Sequence, residues 1–134
     1  MAYNDKFRLS SHAVITDADD NVLLLKANYG NFDFGLPGGG LEPGETIHQA
    51  LQRECLEELG IGVNCLYLSG VYYHSAFDSQ AFIFRCDLAD QKLIKLSDEH
   101  SEYKFVSLED LSAVQKIRVE DCLEYSGAVI SRRF

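Results

Sequence analysis

The chain has 134 residues, a length that suits one domain, 1–134, able to bury a core without disulfides or a structural metal. A formal net charge of -9 argues against a protein that grips a nucleic acid polymer, because that affinity comes from lysine and arginine neutralising phosphates. No apolar run is long enough to cross a bilayer and residues 1–9 lack the apolar stretch of a secretory signal, so the expectation is no membrane partner and a cytoplasmic location.

Residues 8–16 and 21–27 read as strands around a hairpin turn at Asp17-Ala18-Asp19-Asp20. The run Val22-Leu23-Leu24-Leu25 predicts a strand buried on both faces, followed by a polar and aromatic loop over 28–33. Leu36-Pro37-Gly38-Gly39-Gly40 is expected to be irregular, since proline fixes φ and glycine opens conformations closed to other residues. Glu42-Pro43-Gly44 has the order of a type II turn. Thr46 and Gln49 then fit a capping box, and Gly60 fits the position just past a helix end, which predicts a helix over 47–59.

Residues 66–74 and 80–88 read as a second hairpin around 75–79. Phe82, Phe84 and Cys86 should face one way, and Ile83 and Arg85 the other. A charged loop is expected over 89–102, a strand over 103–107, a short helical turn over 108–111 capped by Ser107, and a terminal helix over 116–130. Strands and helices in this proportion predict an α/β fold, a mixed sheet with helices on its faces. The four cysteines form no C-x-x-C pair and are expected to be free thiols. Nothing marks a second domain, because repeats, low-complexity tracts and linkers are all lacking.

The chemistry concentrates after the glycine run. Glu54, Glu57 and Glu58 stand about one helical turn apart, and carboxylate oxygens are hard ligands suited to Mg²⁺ or Mn²⁺, with substrate phosphates filling the remaining positions. Successive residues turn by about 100°. On that wheel the glutamates adjoin the stripe of Ile47, Leu51, Cys55 and Leu59 instead of lying opposite it, so they should point along the edge of the core. Three carboxylates gathered there repel one another unless a cation joins them.

Gly39, Glu45, Arg53, Glu54, Glu57, Glu58, Gly60 and Ile61 keep the spacing Gly-x5-Glu-x7-Arg-Glu-U-x-Glu-Glu-x-Gly-U, where U is a bulky aliphatic residue. The segment resembles the Nudix box of the MutT-like hydrolases. Cys55 departs from the pattern at its first U position, a change expected to loosen packing without touching the chemistry. The resemblance implies an α/β/α sandwich and Mg²⁺-dependent hydrolysis of a nucleoside diphosphate linked to another group. It implies metal binding by Glu54, Glu57, Glu58 and the carbonyl of Gly38, with Arg53 orienting the glutamates. Glu45 is expected to brace the loop or Arg53, and Gly39 and Gly40 to let backbone approach phosphate.

The family's general base is either a box glutamate, here Glu54, or a glutamate of a later loop, here Glu99 first and Glu102 second. Tyr29 and Phe34 are candidate platforms for a base, alongside Phe32, Tyr72, Tyr73 and Phe77. The expected partner is a small nucleotide. The resemblance also admits a homodimer, and no exposed stripe in the sequence decides it. Two other readings compete. A Nudix-fold module that binds or senses a nucleotide without cleaving it would usually lose box glutamates, which this chain keeps. An interaction domain with an acidic helix would show no response to divalent ions.

Overall fold

The computed structural model describes residues 3–28 and 33–134. Tyr29 and Phe32, both named above as stacking candidates, lie outside the described residues. The strands are β1 (Arg8–Val14), β2 (Val22–Ala27), β3 (Phe34–Gly35), β4 (Gly38–Gly40), β5 (Asn64–His74), β6 (Ser79–Asp87), β7 (His100–Val106) and β8 (Ile130–Arg133). The helices are α1 (Ile47–Leu59) and α2 (Ala113–Leu123). One sheet is mixed and five-stranded in the order β4-β1-β6-β5-β8, with β1 parallel to β6 and β5 parallel to β8. The other is antiparallel in the order β3-β2-β7.

Alternation along the strands sorts side chains into two layers. Leu23 and Leu25 of β2, with Phe84 and Cys86 of β6, pack under Leu51, Cys55 and Leu59 of α1. Val22, Leu24 and Ile83 look the other way, onto Val119 and Cys122 of α2. A helix therefore covers each side, which is the α/β/α arrangement expected. Cys55 is fully buried in the α1 layer, so this smaller residue is accommodated in the core. All four cysteines are free.

The helix limits follow local chemistry. The Thr46 side chain accepts from Gln49 N–H while the Gln49 side chain accepts from Thr46 N–H, closing the capping box. Gly60 ends α1 at φ 73, and a Cβ there would meet the Lys95 carbonyl oxygen at 2.8 Å. The turn before α1 has Gly44 at φ 90 and Glu45 N–H donating to Glu42 O at 3.0 Å.

Four expectations are corrected. Gly38–Gly40 is not irregular: it is an edge strand whose residues pair with Ser10, Ser11 and His12 of β1. The turn at 17–20 forms around the Asp17 carboxylate, but the pairing around it is confined to the Thr16–Val22 bridge and its neighbours, and β1 and β2 enter different sheets. The stretch 89–102 contains a 3-10 turn at Gln91–Leu93 and the start of β7 at His100. The last helix covers Ala113–Leu123, ending before the expected 130, and β8 begins at Ile130. Ser112 caps α2 by accepting from Gln115 N–H, which sets its start earlier than apolar spacing suggests.

Asp121 joins α2 to both neighbouring strands. It accepts from the Tyr72 hydroxyl at 2.9 Å and from both arms of Arg132 at 2.7 and 2.9 Å. Replacing Asp121 with alanine leaves the hydroxyl of fully buried Tyr72 without this acceptor, an expected loss of about 1–3 kcal/mol. Hydrogen bonding from Arg132 holds the Asp121 carboxyl below the ordinary aspartate range. A depressed carboxyl stabilises the fold at neutral pH, and that contribution is lost as pH falls through its folded value. Urea titrations of wild type and Asp121→Ala should therefore differ most near neutrality and converge in acid.

Candidate active site

The glutamate helix meets the glycine strand because both are tied to β1. The Ser11 hydroxyl donates to Ile47 O at 2.8 Å in the first turn of α1, and β4 runs antiparallel to the same stretch of β1. Strand β4 thus lies against the helix face that carries Glu54 and Glu58. Gly38 N–H donates to Glu58 Oε1 at 2.7 Å. At Gly39 an added Cβ would lie 2.7 Å from the Glu54 carboxyl carbon, so only bare backbone leaves room for that carboxylate. Two acidic side chains flank consecutive residues of one strand.

Arg53 organises the remainder. Its Nε donates to Glu45 Oε2 at 2.6 Å and one Nη to Glu45 Oε1 at 2.9 Å, the two-pronged geometry that fixes a guanidinium plane. That Nη also donates to the Gly40 carbonyl at 3.0 Å. The other Nη reaches Glu54 at 2.9 Å and Glu57 at 3.4 Å. Glu45 accepts in turn from Glu42 N–H at 2.8 Å, so one carboxylate clasps the turn before α1 to the middle of the helix. Hydrogen bonding to Arg53 holds Glu45 well below the usual carboxylate range.

The three glutamates differ in environment. Glu58 is buried, Glu54 sits at the margin with its side chain 19% exposed, and Glu57 is 59% exposed. Pointing along the core edge is therefore true of Glu58 and Glu54 but not of Glu57, which stands exposed 3.4 Å from Arg53. Burial pushes the Glu58 carboxyl up to about 8, against the Gly38 N–H, and the charges of Glu54, Glu99 and Glu57 push the same way.

Residue His100 was not singled out in the sequence. It is buried at the start of β7, with Nε2 3.5 Å from Glu58 Oε2. Burial draws its basicity down while burial raises Glu58, so the contact is not an ion pair of two charged groups at neutral pH. The segment before it is placed by the end of α1: Lys95 and Ser97 N–H donate to the carbonyls of Leu59 and Glu58, groups that a helix terminus leaves open. Asn28 fastens the same segment from β2, donating to Glu99 O at 2.7 Å and Asp98 O at 2.9 Å. Glu99 is exposed, with its charge acting on Glu58 and His100. Glu102 instead lies 3.8 Å from Lys26 across the β2-β7 pair.

A cavity of about 300 Å³ opens beside Glu58, lined by Gly38, Gly39 and His100 together with His12, Phe34 and Leu36. Phe34 carries the Lys104 ammonium 3.9 Å from its ring centre. Tyr72 belongs to the opposite core, and Tyr73 donates to Asp78 at 2.5 Å, so neither lines this cavity. His12, also missed in the sequence, is held by a 2.9 Å contact with Ser10 Oγ. Burial and then the Arg118 charge lower its basicity to about 3, which makes it a neutral ring at the cavity wall. The signal available in the sequence was a histidine alternating with Ser10 and Val14 on one strand face.

The donor set suits a hard divalent cation: carboxylates and backbone carbonyls, with Glu58 raised first by burial and further by the charges of Glu54, Glu99 and Glu57. Among the described residues no three acidic, histidine or cysteine side chains already stand in a metal-holding arrangement. Arg53 donates to both Glu54 and Glu57, at 2.9 and 3.4 Å.

Comparison with known proteins agrees with this geometry. A family model described as NUDIX domain matches residues 6–122. The chain is 32% identical over 117 residues to an ADP-ribose pyrophosphatase of Methanocaldococcus jannaschii, covering 79% of this chain and 69% of that protein. It is 31% identical over 121 residues to a MutT-like protein of Streptomyces ambofaciens, covering 87% of this chain and 78% of the other. A crystal structure of an ADP-ribose pyrophosphatase from Streptococcus suis shares the fold with a TM-score of 0.77 at 20% identity, covering 95% of this chain and all of that one. No helix among the described residues is long and apolar enough to cross a membrane. A family match over most of the chain establishes that this protein belongs to the NUDIX domain family.

Proposed function

We propose that this chain is a metal-dependent hydrolase that cleaves the diphosphate of a nucleoside diphosphate derivative. The observation that carries this reading is the placement of Glu58 against Gly38 and Glu54 against Gly39, with Arg53 and Glu45 holding the helix to that strand. Glu54, Glu57, Glu58 and the Gly38 carbonyl would hold Mg²⁺ or Mn²⁺. When bound, such an ion neutralises phosphate charge and makes a bound water more acidic.

The chain's own groups supply positioning. Arg53 fixes the Glu54 carboxylate, and the glycines admit phosphate oxygens close to backbone. Water adds to phosphorus as the anhydride P–O bond breaks, its proton passes to a carboxylate, and a phosphate or nucleoside phosphate departs. Glu54 and Glu99 are the bases this site offers, and the charge of Glu99 on Glu58 and His100 favours it over Glu102, whose nearest cation is Lys26. Phe34, Gly39 and Gly40 are assigned to substrate binding. Small nucleotides as partners follow from the same site, and free thiols accord with a reducing, cytoplasmic setting. A homodimer is carried along in this reading, with a sedimentation measurement as its check.

ADP-ribose comes first among the substrates to test, because the 32% identical relative is named an ADP-ribose pyrophosphatase. A hydrolysis screen over ADP-ribose, nucleotide sugars, dinucleoside polyphosphates and nucleoside triphosphates is expected to release phosphate or mononucleotide with Mg²⁺ or Mn²⁺ and to stop on chelation. Tight nucleotide binding with no product from any of them would replace the hydrolase by a binding module.

A further inference from the structure

Hydrolysis uses none of the four thiols, and two of them stand opposite each other. Cys65 of β5 and Cys86 of β6 are register partners in the antiparallel ladder. Both side chains enter the layer under α1, Cys86 as fully buried core and Cys65 packed against it and only partly covered. Residues directly opposed in such a ladder have Cα atoms about 4.5–5.5 Å apart, and a disulfide spans about 4.4–6.8 Å. The backbone spacing therefore already suits a covalent bond. A hydrogen bond in which the Cys86 thiol donates to the Cys65 sulfur keeps the two groups in contact. Neither remaining cysteine competes on these terms. Cys122 lies in the opposite layer, under α2, and Cys55 enters from the helix with no strand position facing either thiol.

We infer that Cys65 and Cys86 form a modification site, a dithiol that a low-molecular-weight hydroperoxide converts into an intramolecular disulfide. The roles of the two sulfurs follow from their surroundings. Burial raises both thiols, but the shared hydrogen bond lowers Cys65 and raises Cys86, so Cys65 is the sulfur that ionises first. It is also the one within reach. The pair is the second rung from the open end of the hairpin, after Asn64 with Asp87, and the register shifts beside it at Leu66, which is 48% exposed. A bulge disrupts the ladder locally and ladder ends open readily, which admits a small oxidant to Cys65. The Cys65 thiolate attacks one peroxide oxygen, the O–O bond breaks, and the other oxygen leaves as an alcohol with the proton that Cys65 gave up. The Cys86 sulfur then attacks the Cys65 sulfenic acid. An S–S bond forms as the S–O bond breaks, and the Cys86 proton departs with the hydroxyl as water. The two thiols lose two electrons in all, and the peroxide gains them. The product staples the two central strands beneath the glutamate helix and closes a loop of about twenty residues in the unfolded chain.

The test treats the whole native protein with tert-butyl hydroperoxide, blocks remaining thiols with N-ethylmaleimide after unfolding, and maps the linked peptides by mass spectrometry. Four thiols are expected to fall to two, with Cys65 joined to Cys86, and to return to four with dithiothreitol. The oxidised protein should unfold at a urea concentration higher by about 1 M. Cys65→Ser should form no cross-link, whereas Cys55→Ser combined with Cys122→Ser should form it as the wild type does. Peptide mapping of the wild type decides the matter even where a variant fails to fold. Four thiols surviving a treatment that fully oxidises a simple dithiol peptide would overturn the site. So would a link through Cys55, a link between two chains, or a sulfinic acid at Cys65 with no disulfide. A lower urea midpoint after oxidation would show that the bond forms only by distorting the ladder, and overturns the claim that the register suits it.

Discussion

Replacing Glu58 with glutamine is expected to lower turnover at least about a hundredfold, a loss of roughly 2.7 kcal/mol in transition-state stabilisation, while leaving the fold as stable as before or more so. Glutamine keeps an oxygen for the Gly38 N–H and removes a carboxyl whose charged form burial, and then Glu54, Glu99 and Glu57, already disfavour. Activity and stability should thus move independently or in opposite directions, which a side chain serving only the fold would not produce. Glu57→Gln provides the companion case. Glu57 is largely exposed and contributes one long contact to Arg53, so its substitution should be almost silent in thermal melts yet cost turnover to a similar extent. Steady-state kinetics with Mg²⁺ and melting curves without it read both effects, and wild-type turnover in either variant contradicts the metal assignment.

The glycine strand should divide into one structural and one chemical position. At Gly38 an added Cβ would lie 2.1 Å from the Ser11 carbonyl oxygen and 2.7 Å from the His12 Cα, and the residue has φ 135. Those neighbours are backbone of β1 and cannot swing aside. Gly38→Ala is expected to lose about 3 kcal/mol or more of stability, combining a conformation unfavourable to alanine with overpacking. At Gly39 the clash is with the end of the Glu54 side chain, which can rotate. Gly39→Ala should therefore melt within about 1–2 kcal/mol of wild type and lose activity through displacement of Glu54. Chemical denaturation of the two variants, alongside their turnover, checks the division; equal loss of stability at both sites would contradict it.

The helix that carries the glutamates was legible because its signals are local. Thr46, Gln49 and Gly60 act within one turn of their own positions, and Leu51, Cys55 and Leu59 repeat at helical spacing. The alternation of Phe82, Phe84 and Cys86 against Ile83 was legible for the same reason. What failed depends on partners distant in the chain. Gly38-Gly39-Gly40 has no side-chain pattern to announce a strand, and its pairing is dictated by β1 nearly 30 residues earlier. Ile130–Arg133 is short and exposed, and becomes a strand only because β5 offers an edge beside Gly70–Tyr73. His100 looked like part of a charged loop until the open carbonyls at the end of α1 drew that segment in.

Because Leu23 and Leu24 look into opposite layers, β2 is a common wall between the core under the glutamate helix and the core under α2. One residue inserted within Val22–Leu25 would swap the tenants of the two rooms, sending every downstream side chain of that strand through to its neighbour's half. The same insertion at Ala18 or Asp19 falls in the turn outside the strand and leaves the alternation of β2 intact. Length variation in this protein is thereby steered toward one bend, and the spacing that aims Glu58 at its glycine strand is shielded from it.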